Sequence, residues 1–238
     1  MKLLLLTAFT MILASAQTTT PSGAKALFFS PESGQQTVNS SAASPPGLQR
    51  MPVSGGATSA LRLTGKPAVT GLKYYIQLRQ PDGNLQRVNV NRVFHSGDRI
   101  RLIVAANVDG DLVIYQKQED LPEQRLYPAP EVPEATGHIM PGATVTLPST
   151  HGSFVFDDHP GQIHLTLMFT ARLGQADTQI PTAALAHQLA GATNGSKALR
   201  IEDDSADDNA QYKVLDSRAD SKIPAGVIAT EVTVSHVR

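Results

Sequence analysis

Residues 162–171 read Gln-Ile-His-Leu-Thr-Leu-Met-Phe-Thr-Ala. Ile163, Leu165, Leu167 and Phe169 alternate with His164, Thr166, Met168 and Thr170. In an extended chain successive side chains point to opposite faces, so a period of two puts the four large apolar groups on one side of a strand. A helix would instead bring together residues three and four apart. The preceding Asp157-Asp158-His159-Pro160-Gly161 is a turn, with Pro160-Gly161 fixing the entry to this strand.

The same pattern recurs towards the N-terminus. Tyr74, Ile76 and Leu78 alternate with Tyr75, Gln77 and Arg79, and Pro81-Asp82-Gly83-Asn84 then turns the chain. A second strand is expected over about 85–94, followed by a turn at Ser96-Gly97-Asp98 and a third strand over 99–106. Asn107-Val108-Asp109-Gly110 reads as a tight hairpin, because Asp-Gly between apolar runs is a strong hairpin signal. A fourth strand follows over 111–117. The Pro-rich stretch 119–142 reads as a loop, with a short edge strand at 124–127, and 143–147 and 153–156 read as short strands.

Towards the C-terminus, 182–190 is an Ala- and Leu-rich helix with Thr182 as N-cap and Gly191 as stop. Strands are expected over 199–203, 212–215 and 227–237, the acidic run Glu202-Asp203-Asp204-Ser205-Ala206-Asp207-Asp208 forming a solvated hairpin between the first two. About ten short strands with frequent turns and one brief helix point to an all-β fold, an immunoglobulin-like antiparallel β-sandwich. Its expected extent is 67–238. The uneven loops disfavour a regular meander barrel.

The chain opens with Lys2, an apolar run from Leu3 to Leu13, and Ala14-Ser15-Ala16 before Gln17. This is the pattern of a signal peptide over 1–16, too short to span a bilayer. Export to the periplasm or the outside of the cell is therefore expected. Residues 17–66 are rich in Ser, Thr, Ala, Gly and Pro and read as a disordered arm, with Phe28 and Phe29 a small apolar island in it. Asn39-Ser40-Ser41 and Asn194-Gly195-Ser196 match the N-glycosylation triplet. The chain has 20 Lys and Arg against 21 Asp and Glu, with neither Cys nor Trp. Near-neutral charge gives no footprint for nucleic acid or anionic lipid. The lack of cysteine excludes disulfides, thiolate metal sites and thiol nucleophiles.

The order of several short pieces resembles a known family. These are Val93-Phe94-His95-Ser96-Gly97-Asp98-Arg99-Ile100-Arg101-Leu102, then Asn107 to Ile114, Arg125-Leu126-Tyr127-Pro128, Pro141-Gly142, Leu147-Pro148, and Phe154 to Gly161. In this order they resemble the bacterial domain of unknown function 4384 family, in its exported single-domain type. The resemblance covers about 72–171. It implies a non-enzymatic domain of envelope proteins and carries over no catalytic residue.

Sequence motifs for chemistry are sparse. There is no G-x-S-x-G elbow, no H-E-x-x-H and no Gly-rich phosphate loop. The expected function is a non-catalytic binding or scaffold module acting through protein–protein contacts, with no cofactor and an envelope or secreted protein as partner. The alternative is a metal- or small-ligand-binding protein. His95 and Asp98 lie in one turn, and Asp157, Asp158 and His159 in another. At one end of a sandwich, these carboxylates would suit Ca²⁺ and the imidazoles would suit Zn²⁺. In the competing use, the Asp side chains bond local backbone within their turns.

Overall fold

The computed structural model describes residues 23–30, 69–119, 121–132, 135–148, 152–172, 180–204, 209–216 and 223–238. The signal peptide, most of the arm, Asn39 and the tip of the acidic run lie outside the described residues. In chain order the elements are α1 (Ala24–Phe28), β1 (Val69–Arg79), β2 (Leu85–Val88), β3 (Val93–His95), β4 (Arg99–Ala106), β5 (Gly110–Gln118), β6 (Gln124–Tyr127), β7 (His138–Ile139) and β8 (Thr144–Leu147). They continue with β9 (Phe154–Val155), β10 (Gly161–Ala171), α2 (Ala183–Asn194), β11 (Leu199–Asp204), β12 (Ala210–Asp216) and β13 (Val227–Val237).

The alternation at 162–171 makes β10 the middle strand of one sheet, ordered β3-β13-β10-β5-β6 with β7 beside β5. The other sheet runs β11-β12-β1-β4-β8, with β2 beside β1 and β9 beside β4. Every pairing is antiparallel except that of β13 with β3. The sheets pack as a sandwich. Leu72, Tyr74, Ile76 and Leu78 of β1 and Leu102 and Val104 of β4 meet Leu165, Leu167 and Phe169 of β10 and Ile228, Val232 and Val234 of β13. Burial of these alternating side chains is the main favourable term holding the two sheets together.

Three expectations are corrected. The strand expected over 85–94 is two strands in different sheets. Asn89 causes the break: its Oδ1 accepts from Asn91 N at 2.8 Å and its carbonyl from Arg92 N at 3.1 Å, a local turn that competes with the ladder.

The Asp109-Gly110 hairpin is instead a crossing, since β4 and β5 belong to opposite sheets. Asn107 anchors it. Its side chain is fully buried, Oδ1 accepts from Gly71 N at 2.7 Å, and Nδ2 donates to Val69 O at 3.3 Å. Gly110 is required where the crossing lands, because a Cβ there would overlap the Phe169 ring and the Thr170 carbonyl.

The third correction concerns the arm. Residues 23–30 are ordered, giving a second helix where one was expected. Phe28 of α1 is buried on the outside of the β12-β1-β4 sheet with Val69, Tyr75, Ile103, Tyr212 and Val214. Its ring meets Tyr212 edge-on at 5.6 Å, and Glu202 Oε2 accepts from Lys25 N at 3.0 Å. Gly71 leaves room for this docking, a Cβ there standing 3.0 Å from Phe28.

The expected helix at 182–190 is present and longer, running past Gly191 to a cap at Gly195. Thr182 caps it as expected, Oγ1 accepting from Leu185 N at 3.4 Å. Ala186 and Ala190 lie against Val113, Met168 and Ala229 on the outside of the second sheet. Small side chains at these positions let the helix sit close.

Phe28→Ala should therefore lower unfolding stability by about 3 kcal/mol, as for other buried aromatics. Urea unfolding of the full chain measures this, and an unchanged midpoint would mean that α1 contributes nothing to the folded state.

Candidate functional site

The two turns singled out from the sequence do meet. Gly97 N donates to Phe156 O at 2.8 Å and Phe156 N to Asp98 O at 3.1 Å, which binds the His95–Asp98 turn to the segment entering Asp157. The end of β13 closes the same corner. His236 is buried, its Nε2 3.2 Å from Ser96 Oγ and its ring 4.9 Å from that of Phe156, which stacks in turn on Phe94.

The side chains at this corner are turned to local use. Asp98 Oδ2 accepts from His95 N at 3.0 Å. Asp157 Oδ1 accepts from His159 N at 2.9 Å, and its Oδ2 lies 3.3 Å from His159 Nδ1. The backbone bond from His159, with its imidazole alongside, holds the Asp157 carboxyl below its ordinary value. Asp158 is exposed, and its carbonyl accepts from Arg238 Nε at 3.3 Å. Among the described residues, no group of three or more His, Asp or Glu side chains is arranged to hold a metal ion. The turns were legible as turns, and the short-range bonds seen here are the ordinary chemistry of Asp in that setting.

Sequence reasoning missed two polar clusters. In the first, His187 on α2 lies between two carboxylates. Its Nε2 is 2.6 Å from Glu123 Oε1, and its Nδ1 is 3.0 Å from Glu231 Oε1 and 3.2 Å from Thr166 Oγ1. A ring with an acceptor on each nitrogen is suited by the doubly protonated imidazolium. The bonds to Glu231 and Glu123 raise its pKa against the opposing effect of partial burial. The cluster clasps α2 to the second sheet. His187 stands 64 residues from Glu123 and 44 from Glu231, so no local motif announces it.

In the second cluster, Lys213 of β12 reaches across the interior and donates to Thr230 Oγ1 of β13. Burial pushes its amine pKa down and the nearby Glu231 opposes this. Tyr74 lies in the same interior; burial raises its hydroxyl pKa strongly against the bond with Thr230. The group reads as a polar tie between the sheets. The strict alternation of β12 places Lys213 inward between Gln211 and Leu215, which is the one sequence signal for it.

The remaining feature is the open edge of the first sheet. Among the described residues β11 is paired on one side only, by β12. Ile201 sits opposite Lys213, on the inward side of the strand, yet is 57% exposed. Comparison with family models, with curated proteins and with solved structures returns no match. No described helix is long and apolar enough to cross a membrane.

The His187 clasp has a defined pH dependence. A raised folded pKa means that its contribution is complete below the unfolded value of about 6.5 and is lost as pH rises through the folded value. The melting temperature of the native chain should exceed that of His187→Gln by more at about pH 6 than at about pH 9. A gap of constant size across that range would contradict the clasp.

Proposed function

We propose that this chain is an exported, non-catalytic binding module of the bacterial envelope that takes a partner protein by strand addition at β11. The single observation that carries this reading is Ile201, an inward-side aliphatic left open at a sheet edge. Strand addition supplies backbone hydrogen bonds for affinity and side-chain pockets for choice of partner. A strand laid beside β11 would continue the apolar row begun by Leu199 and cover Ile201.

The other sheet edges are less suited. The strands β3, β6 and β8 span only three or four residues, and the β5–β6 pairing is broken by a register shift at Ile114/Tyr115. By contrast β11 offers six residues. Arg200, Glu202 and Asp203 on β11 disfavour indiscriminate pairing, as charges on natural edge strands do.

The export part of this reading rests on the first sixteen residues and on the resemblance to the bacterial domain of unknown function 4384 family. We take the sandwich as immunoglobulin-like because the chain passes repeatedly between the two sheets rather than completing one before the other.

The test is a photo-crosslinking residue at position 200, beside Ile201 on β11, of the chain in its native envelope. One reproducible partner should be captured, and Ile201→Lys should reduce capture about tenfold, as loss of a central contact does. Undiminished capture by Ile201→Lys with folding intact would reject strand addition at this edge.

A further inference from the structure

We propose that the outer face of the β2-β1-β4-β9 region binds an anionic lipid surface. This face is separate from the β11 edge and does not depend on that reading. The cross-strand register builds it. Arg79 lies opposite Arg99 and Gln77 opposite Arg101 across β1 and β4. Arg87 of β2 lies opposite Gln77, and Leu85 opposite Arg79. Val155 of β9 lies opposite Arg99. These residues share the outer face with Tyr75, because the alternating Ile76, Leu78, Ile100 and Leu102 fill the core.

Two adjacent rows result. One runs Arg87, Gln77, Arg101 and the other Leu85, Arg79, Arg99, Val155. Neighbouring strands are about 4.8 Å apart and alternate residues about 7 Å, so four guanidinium groups share a patch roughly 15 Å across. Like charges directly opposite one another destabilise a sheet, so the Arg79–Arg99 pair is not explained by folding. Two of the four are held in place: Arg87 lies over the Tyr75 ring at 4.3 Å, and Arg101 Nε donates to Gly152 O at 2.7 Å.

The nearby carboxylates are committed elsewhere. Asp98 bonds His95 N, Asp82 bonds Asn84 within its turn, and Glu202 bonds Lys25 N at the α1 end. Among the described residues, no carboxylate lies within ion-pair distance of Arg79, Arg99 or Arg101.

The chemistry of the rows selects the partner. Guanidinium groups pair with phosphate oxygens. Leu85 and Val155, 39% and 53% exposed, bracket the two central arginines in one row. Aliphatic side chains flanking cations fit a headgroup layer, where the charges meet phosphates and the aliphatics enter the acyl boundary. A single-stranded nucleic acid would instead use exposed rings for base stacking. The ring that these strands place on this face, Tyr75, is buried, and the exposed Phe29 stands against Tyr212 at the α1 end. The chain's net charge of −1 conceals the patch because it averages over surfaces that differ in sign.

The test is co-sedimentation of the full chain with phosphatidylcholine vesicles with or without about one third phosphatidylglycerol. Residues 3–13 are themselves apolar, so the quantity read is the difference between the two vesicle types. Binding should favour the anionic vesicles and lose that preference at about 0.5 M salt. Arg79→Gln with Arg99→Gln should weaken the anionic preference about tenfold or more. Leu85→Ser with Val155→Ser should weaken it as well, and carries the test should the arginine variant fail to fold. Equal binding to both vesicle types, or a folded arginine variant that binds like the native chain, would overturn the proposal. Equal arginine-dependent binding to single-stranded DNA, with no effect of the Leu85 and Val155 substitutions, would overturn the lipid assignment in favour of a polyanion.

Discussion

The Asn107 side chain holds the chain where it leaves one sheet for the other. Its amide bonds both Gly71 N and Val69 O on β1 with the side chain fully buried. A buried amide must satisfy its donors and acceptor, and two of those bonds here go to the backbone of the central strand of the first sheet. With that point fixed, β4 belongs to one layer and β5 to the other, and Gly110 can pass beneath Phe169. The pairing of β5 with β10 and the closure of the core follow from it. Gly71 serves the arrangement twice, donating its N–H to Asn107 and clearing a place for Phe28.

Alternation made the strands of this fold legible, and β1, β4, β5, β10 and β13 fall where the period of two places them. It does not state which sheet each strand joins. Asp109-Gly110 has the composition of a hairpin turn, but the residue that decides its path is Asn107, through bonds to a strand nearly forty residues earlier. Asn89 likewise splits one apparent strand by a local side-chain bond that composition does not reveal. The docking of α1 was hidden for a related reason. A five-residue helix within a polar, Pro-containing stretch carries little intrinsic signal, and its order comes from Tyr212 and Val214 far along the chain.

The candidate site was legible only as turns. His95, Asp98, Asp157 and His159 do come to one corner, but the two Asp side chains bond the backbone beside them. The more consequential groupings are long-range. His187 gathers carboxylates from a loop and a distant strand, and the arginines of the first sheet become neighbours only through strand register. Charge counted along the sequence is nearly balanced, whereas charge counted across one face of a sheet is not. The functional readings proposed above therefore fall on the surfaces of this sandwich, while its interior is given to holding the two layers together.

Strand addition depends on β11 being an open edge. Amide hydrogen exchange of the full chain, read residue by residue, tests it directly. Amides of β1, β4, β5 and β10 should exchange only through global unfolding, whereas alternate amides of β11, those facing away from β12, should exchange rapidly. Protection of every β11 amide to the level of the core would mean that the edge is already covered, and would contradict the account.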